Sequence, residues 1–192
     1  MSTIKVQDFA IPGLKLITPM THSDSRGSFR ETYNVRTFAH IGLNHSYVQD
    51  NQAHSLQAGT VRGLHFQRPP HSQSKLLQVL RGSIFDVSVD LRRGSPTFAR
   101  HVGLEITAAS GQQLFVPEGL AHGYCTLEPM TDVFYKVTDF YDPSCDGGLL
   151  WNDPALKIEW PAIAGAQISD RDKRLPTLHQ LDSPFTFDRG SK

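Results

Sequence analysis

The chain has 192 residues, of which 39% are hydrophobic and 20% charged, so it is suited to one folded domain and too apolar for a disordered chain. Its 19 basic and 19 acidic residues balance to a net charge of zero without any block of like charge, which argues against nucleic-acid or membrane-surface binding. No apolar run approaches the ~20 residues of a membrane helix, and no signal-peptide pattern is present, so we expect a cytoplasmic protein with one domain over residues 1–192.

The first part of the chain predicts short strands and one helix. Residues 3–20 alternate in β fashion around a Pro-Gly break, and residues 23–27 have the composition of a turn. Asn34 has the side chain of an N-cap residue, and Gly42 follows as a stop signal. We therefore expect a short helix between these two residues.

From residue 47 onward the sequence predicts a succession of short strands separated by Gly or Pro. The predicted strands are 47–51, 61–66, 76–80, 84–91, 102–106, 113–116, 123–127 and 133–137. Residues 81–83 form a hairpin signal between the third and fourth of them. Regular spacing of this kind predicts a mainly β protein, an antiparallel sandwich or barrel, with the tail from Phe140 wrapped around it and short helical turns near residues 169–173.

The segment from Arg62 to Gly82 concentrates the polar side chains that suggest chemistry. It brings Arg62, His65, Gln67 and Lys75 close together around a Pro-Pro break. A guanidinium, an imidazole, an amide and an ammonium in one segment favour binding of an anionic, oxygen-rich ligand.

Two spacings in the sequence resemble the signatures of the cupin superfamily, which implies an antiparallel jelly-roll fold. In the first, His65 is kept, but Gln67 stands where metal-binding cupins have a second histidine and Lys75 where they have a glutamate. In the second, which starts at Gly111, His122 is kept. Because a divalent metal prefers imidazole and carboxylate ligands, an ammonium at that position predicts a site without a metal ion.

More specifically, the chain resembles the dTDP-4-dehydrorhamnose 3,5-epimerase family from about residue 4 to residue 178. The resemblance depends on an ordered series of motifs. They are Asp24–Glu31, Gln49–Asn51, Arg62–Gln67, Lys75, Phe85–Arg92, Ser95–Phe98, Val116–Gly123, Tyr135-Lys136 and Leu150–Pro154. It implies an isomerase without cofactor that inverts C3 and C5 of dTDP-4-dehydro-6-deoxy-D-glucose to give dTDP-4-dehydro-L-rhamnose, and that works as a homodimer.

The resemblance also implies four catalytic residues. His65 would be the base, since an imidazole with an unperturbed pKa near ~6.5 suits proton abstraction at neutral pH. Asp172 would pair with this histidine, Lys75 would stabilise the enolate oxygen, and Tyr135 would return a proton on the opposite face. Asp86 is a second candidate orienter of the base. In the alternative interpretation Asp172 caps a helix, and Asp86 and Asp90 lie on the solvent side of an outer strand.

The other matched positions would bind the nucleotide sugar. Tyr141 matches an aromatic residue that stacks on thymine, and the guanidinium of Arg62 is well shaped for a diphosphate. Asp146 stands in place of the usual glutamate and Arg171 in place of the usual lysine, so charge is kept while reach differs. The implied binding set is Arg26, Glu31, Gln49, Asp50, Asn51, Arg62, Lys75, His122, Tyr141, Asp146 and Arg171. In the homodimer, the N-terminal strand and turn would complete the neighbour's site.

The residues alone leave three other functions open. One is a mono-epimerase that inverts only C3 or only C5 of a related dTDP-4-keto sugar. The others are a metal-dependent cupin enzyme, against which Gln67 and Lys75 argue, and a sugar-nucleotide binding module without catalysis. Arg26 and Glu31 also permit a plain interpretation, that of an exposed ion pair.

Overall fold

The computed structural model describes residues 4–162 and 167–188; the remaining residues of the expected 1–192 domain, 1–3, 163–166 and 189–192, lie outside the described part. The strands are β1 (Lys5–Asp8), β2 (Lys15–Thr18), β3 (Thr21–Asp24), β4 (Gly27–Arg30), β5 (Gln49–Ser55), β6 (Thr60–Gln67), β7 (Lys75–Arg81), β8 (Ser83–Asp90), β9 (His101–Thr107), β10 (Gln113–Val116), β11 (Leu120–Thr126), β12 (Thr131–Val137), β13 (Asp146–Gly148) and β14 (Gln167–Ile168). An α-helix, α1, covers Val35–His40, and a 3₁₀ turn covers Asp172–Arg174.

Most strands belong to two facing antiparallel sheets. Sheet I has the order β1-β2-β10-β7-β12-β5, and sheet II has the order β13-β6-β11-β8-β9, with β14 added in parallel to β6. Between them lies an apolar core to which sheet I contributes Leu77 and Leu114 and sheet II contributes Ile84 and Leu120. The predicted antiparallel β architecture is confirmed.

The predicted hairpin at residues 81–83 is wrong, although both of its strands exist. β7 lies between β10 and β12 in sheet I, whereas β8 lies between β11 and β9 in sheet II. Gly82 has a φ of +76°, and a Cβ at this position would collide with the side chain of Thr131. A glycine that permits a positive φ serves a corner between two sheets as well as a hairpin, so the local signal does not distinguish them.

Strand β8 is buried on both faces. Its polar residues Asp86, Ser88 and Asp90 have no exposed surface, so the solvent-side interpretation of Asp86 and Asp90 is wrong. Their apolar neighbours Val87 and Val89 pack instead against residues of the C-terminal tail, which covers the outer face of sheet II. The polar face of β8 is therefore the one directed between the sheets.

The helix forms where the capping signals predict it. The Asn34 side chain accepts hydrogen bonds from the backbone N–H groups of Arg36 and Thr37, and Gly42 follows the helix with a φ of +81°. Phe38 packs with Leu76 on the outer face of sheet I. No helix within the two described ranges is long and apolar enough to cross a membrane.

Candidate active site

A cavity of about 260 Å³ opens between the two sheets, and we call it the outer cavity. β6 of sheet II brings His65 to it, while β7 and β12 of sheet I bring Lys75 and Tyr135. Its lining consists of Gln49, Asn51, His65, Phe66, Gln67, Gln73, Lys75, Tyr135, Tyr141 and Asp146. A base candidate and an acid candidate thus enter the same cavity from opposite sheets.

His65 is held by Asp172. The Nε2 atom of His65 lies 2.8 Å from Oδ1 of Asp172, whose Oδ2 accepts a hydrogen bond from the backbone N–H of Gly63 at 3.1 Å. Burial acts to raise the pKa of Asp172, but the hydrogen bonds from His65, Gly63 and Ser169 outweigh it and keep the pKa below its usual value. An ionised carboxylate only accepts, so Nε2 of His65 carries the proton and Nδ1 is left as the basic nitrogen.

Asp172 begins the 3₁₀ turn, yet its carboxylate does not cap that turn. Both carboxylate oxygens instead bind β6, through His65 and Gly63. Arg171, the preceding residue, places Nη1 at 3.3 Å from Nε2 of His65, so a guanidinium borders the pair. The geometry favours the pairing role of Asp172 over the capping alternative.

Lys75 lies beside the phenol of Tyr135, with its Nζ 5.8 Å from the centre of the ring. Removal from solvent lowers the pKa of the Lys75 ammonium to about 8, although the negative charge of Asp146 acts in the opposite direction. At neutral pH the group is still largely protonated. Lys75 can therefore donate a charged hydrogen bond to an oxyanion in the cavity.

Tyr135 is directed inward because β12 alternates between the two faces of sheet I, with Val133 and Val137 on the same face. Burial raises the pKa of the Tyr135 phenol, while the positive charge of Arg62 opposes the rise. The hydroxyl is thus protonated at neutral pH and available as a proton donor.

A second, inner cavity of about 120 Å³ shares Lys75 and Tyr135 with the outer one. Its remaining lining residues are Ala53, Arg62, Leu77, His122, Tyr124 and Val133. Nε2 of His122 lies 2.7 Å from Oδ2 of Asp86, so Asp86 orients His122 and is not the orienter of His65. The guanidinium of Arg62 is held by Ser55 and the backbone carbonyl of His54.

Tyr124 is a polar residue of the inner cavity that the sequence did not lead us to predict. Its hydroxyl and Oδ1 of Asp86 are both buried and have no hydrogen-bond partner within residues 4–162 and 167–188. Burial raises the pKa of the Tyr124 phenol well above its usual value. The signal was available, since His122 and Tyr124 are two positions apart and so share a face of β11.

The mouth of the outer cavity collects four of the predicted nucleotide-binding residues. Gln49 donates to the Oδ1 atom of Asn51 at 2.9 Å, and the hydroxyl of Tyr141 lies 3.4 Å from Oδ2 of Asp146. Asp146 also forms an ion pair with Arg171. The Tyr141 side chain is left more than half-exposed at this mouth.

Three of the predicted binding residues are not brought to either cavity within this chain. Asp50 alternates to the opposite face of β5 from Gln49 and Asn51, where it forms an ion pair with Lys136 at 2.9 Å. Arg26 pairs with Asp24 on the exposed β3–β4 hairpin.

Glu31, the third of them, accepts hydrogen bonds from Asn34 and Thr37 at the start of α1. The exposed ion pair considered between Arg26 and Glu31 is therefore replaced by contacts with other residues.

No group of three or more His, Cys, Asp or Glu side chains suited to hold a metal ion occurs in the described ranges. Gln67, at the position of the second cupin histidine, has its side-chain amide hydrogen bonded to backbone groups.

Comparison with known proteins identifies the family. The family model described as dTDP-4-dehydrorhamnose 3,5-epimerase matches residues 8–180. A dTDP-4-dehydrorhamnose 3,5-epimerase from Sinorhizobium fredii is 44% identical over 185 residues, which cover 94% of this chain and 93% of the relative.

Solved structures agree with the sequence match. An enzyme of the same name from Bacillus anthracis, solved with TDP and PPi bound, has a TM-score of 0.89 and 47% identity, and the match covers 92% of this chain and 100% of that one. A dTDP-6-deoxy-D-glucose-3,5-epimerase from Legionella pneumophila, in complex with dTDP-4-keto-L-rhamnose, has a TM-score of 0.92 and 36% identity, with 97% and 100% covered. The cupin-like jelly roll predicted from the sequence is thereby confirmed. The protein is an isomerase, and its chain belongs to the dTDP-4-dehydrorhamnose 3,5-epimerase family.

Proposed function

We propose that the protein converts dTDP-4-dehydro-6-deoxy-D-glucose into dTDP-4-dehydro-L-rhamnose by inverting C3 and C5, and that His65, Asp172, Lys75 and Tyr135 carry the reaction. One observation supports this assignment most directly. The paired imidazole of His65 and the phenol of Tyr135 enter one cavity from opposite sheets, with the ammonium of Lys75 in the same lining. An inversion at carbon needs a base and an acid on opposite faces, which is the arrangement described.

In the first step Nδ1 of His65 removes the proton from a carbon next to the C4 ketone. The electrons of the C–H bond form a carbon–carbon double bond to C4, and those of the carbonyl move onto its oxygen. Asp172 stabilises the imidazolium that results, since its carboxylate is held ionised. Lys75 donates to the enolate oxygen, a contact that is stronger in the transition state than with the ketone.

In the second step Tyr135 donates its proton to the same carbon from the opposite face, and the enolate returns to a ketone. The phenolate is reprotonated by solvent or by the groups of the inner cavity, and the imidazolium loses its proton to solvent. A second round at the other carbon completes the double inversion. Both positions lie next to the same C4 ketone, so one oxyanion site serves both rounds.

The nucleotide part of the substrate is bound at the mouth of the outer cavity in this proposal. Thymine stacks on the half-exposed ring of Tyr141, with Gln49 and Asn51 beside it. Arg62 and Arg171, the guanidinium groups that border the inner and outer cavities, supply the positive charge for the diphosphate.

A homodimer is part of the proposal because, within one chain, the matched binding residues Arg26 and Glu31 do not reach either cavity. The β3–β4 hairpin is exposed along its length, and its Phe29 side chain is 72% exposed. Phe29 lies near Arg26, which matches a substrate-binding position of the family. We propose that the hairpin docks on a second copy of the chain and completes the cavity of that copy. We place the enzyme in the cytoplasm, where the two buried free thiols, Cys125 and Cys145, remain reduced.

Turnover in D₂O tests the reaction. The product should carry deuterium at both C3 and C5, and the His65→Asn variant should introduce none. Label at one carbon only would indicate a mono-epimerase. If neither carbon is labelled although the protein still binds the sugar nucleotide, the protein is a binding module and the proposed reaction is wrong.

A further inference from the structure

The segment 138–145, between β12 and β13, carries Tyr141 to the mouth of the outer cavity without any strand or helix of its own. Backbone N–H and C=O groups outside regular structure need other partners when water is kept away. Three amide side chains supply several of them: Gln49 at the start of β5, Gln67 at the end of β6, and Gln73 in the loop between β6 and β7.

Gln67 makes the largest number of these contacts. Its Nε2 atom donates to the carbonyl of Phe140 at 2.9 Å and to that of His71 at 2.5 Å, and its Oε1 atom accepts from the N–H of Asp142 at 3.0 Å. The side chain is 4% exposed, and three of the four hydrogen bonds open to an amide are formed. Gln67 lines the cavity, but its polar atoms are engaged with the loops and not directed at a ligand.

Two further glutamines hold the same segment. Gln73 donates to the carbonyl of Asp139 at 2.8 Å, and Oε1 of Gln49 accepts from the N–H of Tyr141 at 2.9 Å. The ring of His71 lies between two carboxylates of the segment, with Nδ1 at 3.0 Å from Asp139 and Nε2 at 3.6 Å from Asp142. The backbone is therefore fixed on both sides of Tyr141.

The contrast between backbone and side chain at Tyr141 is what needs explaining. The backbone around it is held by the amide side chains of Gln49, Gln67 and Gln73, whereas Tyr141 itself is 56% exposed. The hydrogen bonds that fix this backbone do not bury the ring in the core, so they do not stabilise the fold through the ring. The ring does offer a flat surface whose orientation is set before a ligand arrives, which reduces the ordering cost of binding.

We propose that Gln67, together with Gln73, is a positioning residue for nucleobase recognition, because it fixes residues 139–142 so that Tyr141 presents its ring to the pyrimidine of the substrate. Gln67 stands where metal-binding cupins have a second histidine, and its amide thus positions the backbone at the nucleotide-binding end of the site. This inference rests on the proposed function, since it takes a dTDP-sugar as the ligand. Gln67 acts through Tyr141 and does not itself contact the reacting carbons.

The test compares Gln67→Ala with Gln78→Ala. Gln78 lies on β7 on the outer face of sheet I, where it accepts a hydrogen bond from Gln113, away from both cavities. Gln67→Ala should raise the KM for the sugar nucleotide and the Kd for dTDP about tenfold while kcat stays within about twofold. Gln78→Ala should change none of the three. A fall in kcat at unchanged KM would overturn the inference, because it would assign Gln67 to the chemistry.

A double-mutant cycle with Tyr141→Ala separates positioning from a direct contact. If Gln67 acts through the ring, then adding Gln67→Ala to Tyr141→Ala should change the Kd for dTDP by less than about twofold. Effects that multiply fully would overturn the inference. Should Gln67→Ala fold poorly, Gln73→Ala removes one bond to the same segment and should give a smaller effect of the same kind.

The dTDP titrations need no turnover, so they decide this inference separately from the epimerase assignment. A wild-type protein that binds dTDP tightly without epimerising its sugar would contradict the proposed reaction and leave the positioning role measurable.

Discussion

Asp172 binds both the imidazole of His65 and the backbone two residues before it, with 2.8 Å from Oδ1 to Nε2 of His65 and 3.1 Å from Oδ2 to the N–H of Gly63. One carboxylate thereby fixes the ring and the strand that carries it. Rotation of the imidazole would cost a charged hydrogen bond, so the contact restrains the orientation of the ring.

The Asp172→Asn variant should keep the shape of the side chain and remove its negative charge. An amide can donate to the imidazole and hold it in the other tautomer, which removes the free basic nitrogen. We expect kcat to fall at least about 10²-fold with little change in KM. Steady-state kinetics with a thermal-melt control measure this, and a kcat within about fivefold of wild type would contradict the pairing role.

The Tyr135→Phe variant should separate the two proton transfers. His65 still removes a proton, so substrate recovered from D₂O should exchange at C3 or C5, while inversion falls about 10²-fold for lack of a donor on the opposite face. His65→Asn should abolish both exchange and inversion. Undiminished formation of the inverted product by Tyr135→Phe would show that the phenol is not the acid.

Activity should decline as pH rises through about 8, where the Lys75 ammonium loses its proton. The sign follows from the cause: burial disfavours the charged form, so the pKa lies below that of an exposed lysine and the charge is lost at the lower pH. Lys75→Met should abolish this limb of the kcat profile and lower kcat about 10²–10³-fold.

The Lys75→Met variant should also have a higher melting temperature than the wild type at pH 7, because it removes a charge that is held unfavourably in the folded state.

If the kcat profile of Lys75→Met still declines at alkaline pH, that decline belongs to a group other than Lys75.

Mixed dimers should reveal whether Arg26 serves the neighbouring site. Arg26→Ala and His65→Asn chains, each inactive alone, should regain about one quarter of wild-type activity after equal mixing and re-equilibration, because half the dimers are mixed and each has one intact site. As the matched control, His65→Asn mixed with Asp172→Asn should regain nothing, since both residues belong to the same chain's cavity. Failure of the first mixture to recover would place Arg26 outside the neighbour's site.

The strands and the helix could be predicted because their signals are local. Asn34 caps α1 with its own side chain, and the inward position of Tyr135 follows from alternation along β12. The same alternation separates Asp50 from Gln49 and Asn51, which the motif Gln49–Asn51 had grouped together.

The partners of the two histidines could not be predicted from local patterns. Asp86 and Asp172 were both candidates for His65, and they lie 21 and 107 residues after it in the sequence. The strands and the tail that carry them meet only in the folded chain. The structure pairs Asp172 with His65 and Asp86 with His122. Sequence separation carries no information on which carboxylate reaches which ring.

By itself the sequence determined the β architecture, the family and the set of side chains available for proton transfer, since these depend on residue type and spacing. Tertiary structure decided which face of β8 is internal and that Gly82 is a corner between sheets. The physical reason is that a period of two divides a strand into two faces without saying what covers each of them. Here the C-terminal tail buries the apolar face of β8 from outside, so its polar face is turned inward, where Asp86 reaches His122 of the inner cavity.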